Sequence, residues 1–128
     1  MSEKQFRPTE AELEILHILW EHGPASVRAV NERLNERREV GYTTTLKMMQ
    51  IMLEKGMVER NTDSRSHIYV AVVRESDTQK QLLNRFLQST FRGSASQLVM
   101  QLLGNHKATD EELAQIKELI RKIETENQ

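Results

Sequence analysis

The chain has 128 residues and a net charge of −1, with 38% hydrophobic and 29% charged residues; this fits one soluble domain or two very small ones and requires any charge facing a nucleic acid to be local. It has no cysteine, which excludes disulfides, iron–sulfur clusters, thiolate zinc sites and thiol nucleophiles together and fits a reducing, cytoplasmic home. The charged start MSEKQFRPTEAELE lacks an apolar signal region and no apolar run approaches a bilayer span, so neither a signal peptide nor membrane insertion is expected.

Thr9-Glu10-Ala11-Glu12 has the form of a capping box, and the first helix is expected to run from there to His22. Leu13, Leu16, Leu19 and Trp20 would form its inner face, and Gly23-Pro24 would stop it. Ser26 is placed to cap a short second helix, with Val27, Val30 and Leu34 inward and Arg28, Glu32 and Arg33 outward. After a polar loop, a third helix is expected to begin near Thr43 and end at Gly56. Met57 to Arg60 and His67 to Val73 read as two strands around a turn-rich tip, Asn61 to Ser66.

From Arg74 the composition turns helical to the end. Ser76 or Asp77 could cap a fourth helix with Leu82, Leu83, Phe86 and Leu87 on its apolar side, broken at Gly93-Ser94. A fifth segment carries Leu98, Val99, Leu102 and Leu103. Thr109 to Glu112 is a second capping box, and Leu113, Ile116, Ile120 and Ile123 follow at a spacing suited to a helix–helix seam. The division predicted is 1–73, a winged helix-turn-helix of three helices and a β-hairpin wing, and 74–128, a three-helix dimerisation region in a mainly α chain.

In a winged helix-turn-helix the third helix enters the major groove and the second crosses the backbone above it. The helical phase of the third element has two solutions. One buries Thr45, Met48, Met49 and Met52 and turns Thr43, Thr44, Leu46, Lys47, Gln50 and Ile51 toward DNA. The other buries Leu46, Met49 and Leu53. The first is favoured, because methionines are adaptable core fillers and Gln50 then reaches the reading face, where glutamine can bond adenine bidentately. Lys47 points outward in both phases and is the phosphate contact of choice. Ser26 and Arg28 would anchor phosphate at the second helix, and Arg65 and His67 would serve the wing.

Simpler roles compete for these residues. Thr43 to Thr45 could be only a helix start, Arg65 only a solubilising turn residue, and the field of Arg37-Arg38 is offset by Glu36 and Glu39. His17, His22, His67 and His106 lack the spacing of a metal site, and nothing pairs a nucleophile with a base. No metal, no cofactor and no enzymatic activity are therefore expected.

The last 55 or so residues are too few for a self-sufficient core, and Gln97 to Leu103 is nearly apolar all round. A partner copy would bury it. A homodimer built on Leu82, Phe86, Leu98, Val99, Leu102, Leu113, Ile116, Ile120 and Ile123 would also present two recognition helices to an inverted repeat in double-stranded DNA. The alternative is a monomer whose tail folds back on the winged helix.

Taken in order, several pieces resemble the BlaI/MecI/CopY family of penicillinase repressors. They are Thr9-Glu10-Ala11-Glu12 through Ile18-Leu19-Trp20, Thr44 through Lys55-Gly56, Ile68-Tyr69, Phe91-Arg92-Gly93-Ser94, Leu98-Val99 and the closing helix from Thr109 with Glu112-Leu113. The resemblance spans Pro8 to about Ile123. It implies a dimeric repressor of inverted-repeat operators, often with a TACA/TGTA core, that silences antibiotic-resistance genes and a neighbouring membrane sensor metalloprotease. It further implies relief of repression by cleavage in the fifth helix, a position that aligns with Gln101-Leu102. The Asn and Phe of the family's scissile region are both absent here. The family usually carries Arg where this chain has Ile51 and Thr where it has Lys47, and the copper-responsive branch's C-terminal cysteines are missing. A regulator switched by a small ligand, and a winged-helix interaction module without a DNA role, are the competing readings.

Overall fold

The computed structural model of the chain describes residues 6–63, 65–105 and 107–127. Ser64 at the expected turn, His106 and the first five residues lie outside the described residues. The element order is α1 (Glu10–His22), α2 (Val27–Asn35), α3 (Tyr42–Lys55), β1 (Val58–Asn61), β2 (Ile68–Ala71), α4 (Glu75–Phe91), α5 (Ala95–Asn105) and α6 (Asp110–Glu126). Contacts separate the chain into two compact units, Met1–Leu83 and Asn84–Gln128, so the division falls inside α4.

Local chemistry accounts for most helix ends in the first unit. Thr9 Oγ1 accepts from the Glu12 amide at 3.1 Å, and Glu12 Oε1 accepts from the Thr9 amide at 2.9 Å, which closes the capping box. Ser26 Oγ accepts from the Ala29 amide at 3.2 Å and caps α2. Helix α3 ends in a left-handed Gly56, φ 83°, followed by Met57, whose amide reaches back to the Met52 carbonyl at 3.0 Å. A side chain at that φ would be strained, which is why the helix stops at glycine.

The core lies between α1, α2, α3 and the hairpin. From α1 it takes Ile15, Leu16 and Leu19, with Leu13 and Trp20 only partly buried. The inner face is thus rotated from the expected one, because Ile15 and the buried Glu12 share it. Helix α2 contributes Val27, Val30 and Leu34, as its spacing requires. In α3, Thr45, Met49 and Met52 are each 0% exposed, which is the favoured phase. Met48 flanks this stripe on one side, and Leu46 and Leu53 on the other, all three packed against the core and partly buried. Leu46 and Ile51, expected to face outward, are both half-buried.

The strands pair antiparallel, Val58 with Ala71 through Asn61 with Ile68. Ala25 adds a bridge to Tyr69, by bonds of 3.0 and 2.8 Å in the two directions. This ties the wing to the residue just before the α2 cap. Three helices and this hairpin are a winged helix. In the second unit, Thr109 and Glu112 form the expected capping box of α6. Helix α4 begins at Glu75, which puts Ser76 and Asp77 inside its first turn rather than at its cap.

Candidate nucleic-acid interface

Two asparagines fix the turn between α2 and α3. Asn31 Nδ2 donates to the Val40 carbonyl at 3.0 Å and to Thr45 Oγ1 at 2.9 Å. Asn35 Nδ2 donates to the same Val40 carbonyl at 2.9 Å, while Asn35 Oδ1 accepts the Val40 amide at 3.1 Å. The Thr45 hydroxyl passes its own proton to the Gly41 carbonyl at 3.3 Å. Thr45 is therefore a buried link, and Thr43 and Thr44, both exposed, are chemically distinct from it. The N-cap of α3 is Gly41, with no side-chain cap, so α3 starts at Tyr42 and the threonines occupy its first turn instead of capping it. The first-turn amides keep their capacity to donate to an anion.

The far end of α3 is held by Lys55, whose Nζ lies 2.9 Å from Glu12 Oε2. Burial pushes the Glu12 carboxyl up, but the Thr9 amide and Lys55 outweigh it and hold the group below the usual carboxylate range. The capping glutamate of α1 thus also anchors the C-terminus of α3.

With both ends fixed, Thr43, Lys47 and Gln50 lie exposed along the face opposite the buried stripe. Six of the nine residues expected to touch DNA (Ser26, Arg28, Leu46, Gln50, Arg65 and His67) line one groove of about 640 Å³, together with Tyr42 and Arg60. Thr43, Thr44 and Lys47 are exposed on α3 but are not among its lining residues. The Ala25–Tyr69 bridge explains why α2 and the wing meet there.

The charge is sorted. Among the described residues no Asp or Glu lines this groove, and Arg28, Arg60, Arg65 and Lys47 make no ion pair. Elsewhere in the unit Arg33 is matched with Glu36 at 3.6 Å and Arg38 with Glu14 at 2.6 Å, although Arg7, Arg37, Arg74 and Lys80 are also without an ion pair among the described residues. Arg38 is thus neutralised by α1, not by its chain neighbours. A second concavity, about 710 Å³, sets Glu14, Glu21, Glu36 and Glu75 against Arg33 and Arg37, a net acidic lining that suits a polyanion poorly.

The residues expected at a dimer seam are described within their own elements. Leu98, Leu113 and Ile116 are half-buried, and Leu82 likewise in the first unit. Phe86, Val99, Leu102, Ile120 and Ile123 are exposed. Gln101 is exposed beside Leu102. Neither α5 nor α6 has a buried residue. Among the described residues no group of three or more metal-binding side chains occurs, and no helix is long and apolar enough to cross a membrane.

The model of the penicillinase repressor family matches residues 8–122. The chain belongs to that family. It is 22% identical over 122 residues to the methicillin resistance regulatory protein MecI of Mammaliicoccus sciuri, covering 95% of this chain and 99% of that one. It is 34% identical over 70 residues to the transcriptional regulator BlaI of Mycobacterium tuberculosis, covering 54% and 51%. The solution structure of the DNA-binding domain of the repressor BlaI superposes with a TM-score of 0.52 at 24% identity, over 59% of this chain and 93% of that one. A MarR family protein from Bacillus stearothermophilus gives 0.55 at 19% identity, over 94% and 76%. This member of the family is a transcriptional regulator, and its first unit has the winged-helix fold.

Arg60, Tyr42, Asn31 and Asn35 were not picked out by sequence reasoning. The two asparagines are spaced i, i+4 ahead of a loop, a pattern that suits a turn clamp but also suits a solvated helix end. Arg60 follows Glu59 in a strand whose inward face cannot be told from alternation when Met57 and Val58 are both buried.

Proposed function

We propose that the chain is a dimeric repressor that lays α3 in the major groove of an inverted-repeat operator. One observation carries this reading: a groove between α2, α3 and the wing that gathers unpaired cations and excludes carboxylates. Lys47 contacts phosphate, Gln50 reads a base, and Thr43 and Thr44 pack the first turn of α3 against the backbone. Ser26 and Arg28 hold phosphate from α2, while Arg65 and His67 do so from the wing. Residues 1–73 do the DNA binding, and 74–128 dimerise through the apolar side chains that α4, α5 and α6 leave exposed. The target class is antibiotic-resistance genes, a reading supported by relatives named as methicillin resistance and penicillinase regulators. A membrane-linked protease would end repression by cutting α5 at Gln101–Leu102, which are both exposed.

The test is fluorescence anisotropy with a DNA fragment from upstream of the chain's own gene, against scrambled DNA, over a salt series. Selective binding by two chains per site, with a steep salt slope, is expected. Binding that ignores sequence at every salt concentration would refute the repressor. Lys47→Ala should weaken binding to both DNAs and flatten the slope, whereas Gln50→Ala should erode only the preference.

A further inference from the structure

Arg60 lies in the groove but has no part in the roles assigned so far. It pairs with Tyr69 across the hairpin. Tyr69 and Val58, two residues before Arg60, are each 1% exposed. Residues two apart on a strand share a face, so Arg60 leaves the strand on the side of Val58 and Tyr69, with Glu59 on the other side, but at the open end, where it is exposed to the groove. Arg60 has no carboxylate partner among the described residues. Instead it shares the groove with Arg28 from α2 and Arg65 from the wing tip. Three guanidiniums around one concavity repel each other unless an anion lies between them, and guanidinium geometry matches phosphate.

We propose that Arg60 is a phosphate-contacting residue on the wing strand, one pair in from the turn, so that the groove grips one sugar–phosphate strand from α2 and from the outer half of the hairpin. This rests on the DNA-binding reading and adds to it. The wing then holds the backbone from a paired strand as well as from its tip, and Arg60 sets the depth to which α3 descends.

The test compares wild type, Arg60→Gln and Arg60→Lys by anisotropy on the upstream fragment and on scrambled DNA across a salt series, with unfolding midpoints measured alongside. Arg60→Gln should weaken both DNAs several-fold by the same factor and reduce the magnitude of the salt slope by about 0.9, the value of one lost phosphate contact. Arg60→Lys should restore the slope. A role confined to packing would shift the midpoint and leave the slope at its wild-type value, and that result overturns the proposal. A loss seen only on the upstream fragment would make Arg60 a base contact and also overturn it. Failure of the DNA-binding reading itself would appear first, in a wild type indifferent to salt.

Discussion

The two units satisfy their polar and apolar groups in opposite ways. In the first, α1, α2, α3 and the hairpin all send side chains into one core, and Ile15, Val30, Met49 and Met52 reach 0% exposure. In the second, the backbone ends are well cared for, with a full capping box at Thr109, yet α5 and α6 bury no side chain and Met100 is 72% exposed. Capping chemistry is local and can be completed within a dozen residues. Burial needs opposing surface, and 45 residues do not supply enough. The second unit therefore has the secondary structure of a folded region and the surface of an unfinished one.

The largest effect should come from breaking the finished side. Leu16→Ala removes a fully buried side chain and should cost about 3 kcal/mol. Urea unfolding followed through Trp20, the only tryptophan, reads this directly, and the cost should not vary with protein concentration. A change under about 1 kcal/mol would mean that the core is looser than its burial implies. The unfinished side should respond in the other way. Ile120→Glu puts a charge on an exposed apolar position and should raise the dimer dissociation constant tenfold or more by sedimentation, with little change in the urea midpoint of the first unit. If the mass distribution stays the same, α6 does not form the seam.

The contrast also marks what sequence can reveal. Thr9 with Glu12, Ser26, Gly56 and Thr109 with Glu112 were legible because each acts on neighbours within three or four residues. The phase of α3 was legible because two candidate stripes could be compared residue by residue. The Asn31–Asn35 clamp, the Ala25–Tyr69 bridge and the Glu12–Lys55 pair were not. Each joins groups whose meeting depends on a turn or on 40-odd intervening residues, and each uses a residue type that is equally at home in solvent. The groove inherits this split. Lys47 and Gln50 follow from helical spacing, whereas Arg60 needed the hairpin register and the burial of Val58 and Tyr69.

A smaller effect should sharpen the account of how α3 is aimed. Asn31→Ala removes two donors, to the Val40 carbonyl and to Thr45. Asn35 still serves that carbonyl, so the expected cost is about 1–2 kcal/mol. Hydrogen exchange should quicken at the start of α3 more than at its end. Uniform quickening would show that the clamp supports the whole unit and does not specifically orient the helix.

The smallest effect concerns the other end of α3 and has a definite pH sign. Glu12 is held below the usual carboxylate range, because the Thr9 amide and Lys55 outweigh its burial. A carboxyl whose folded pKa is depressed adds stability above its unfolded pKa, about 4.3, and that contribution is lost as pH falls through the folded value. Glutamine can keep the capping box, since it too accepts from the Thr9 amide. Glu12→Gln therefore keeps the acceptor for Thr9 but puts an amide donor where Oε2 accepts from Lys55, removing the charge and the Lys55 bond together. At neutral pH it should cost about 1 kcal/mol, because the half-exposed Lys55 can turn to water instead. On acidification the wild type should lose that margin and converge on the variant, so the difference between their unfolding free energies should shrink between about pH 5 and 3. Curves that stay parallel down to acid would mean that the Lys55 contact adds nothing beyond the cap, and that α3 is held at its C-terminus by Gly56 and packing alone.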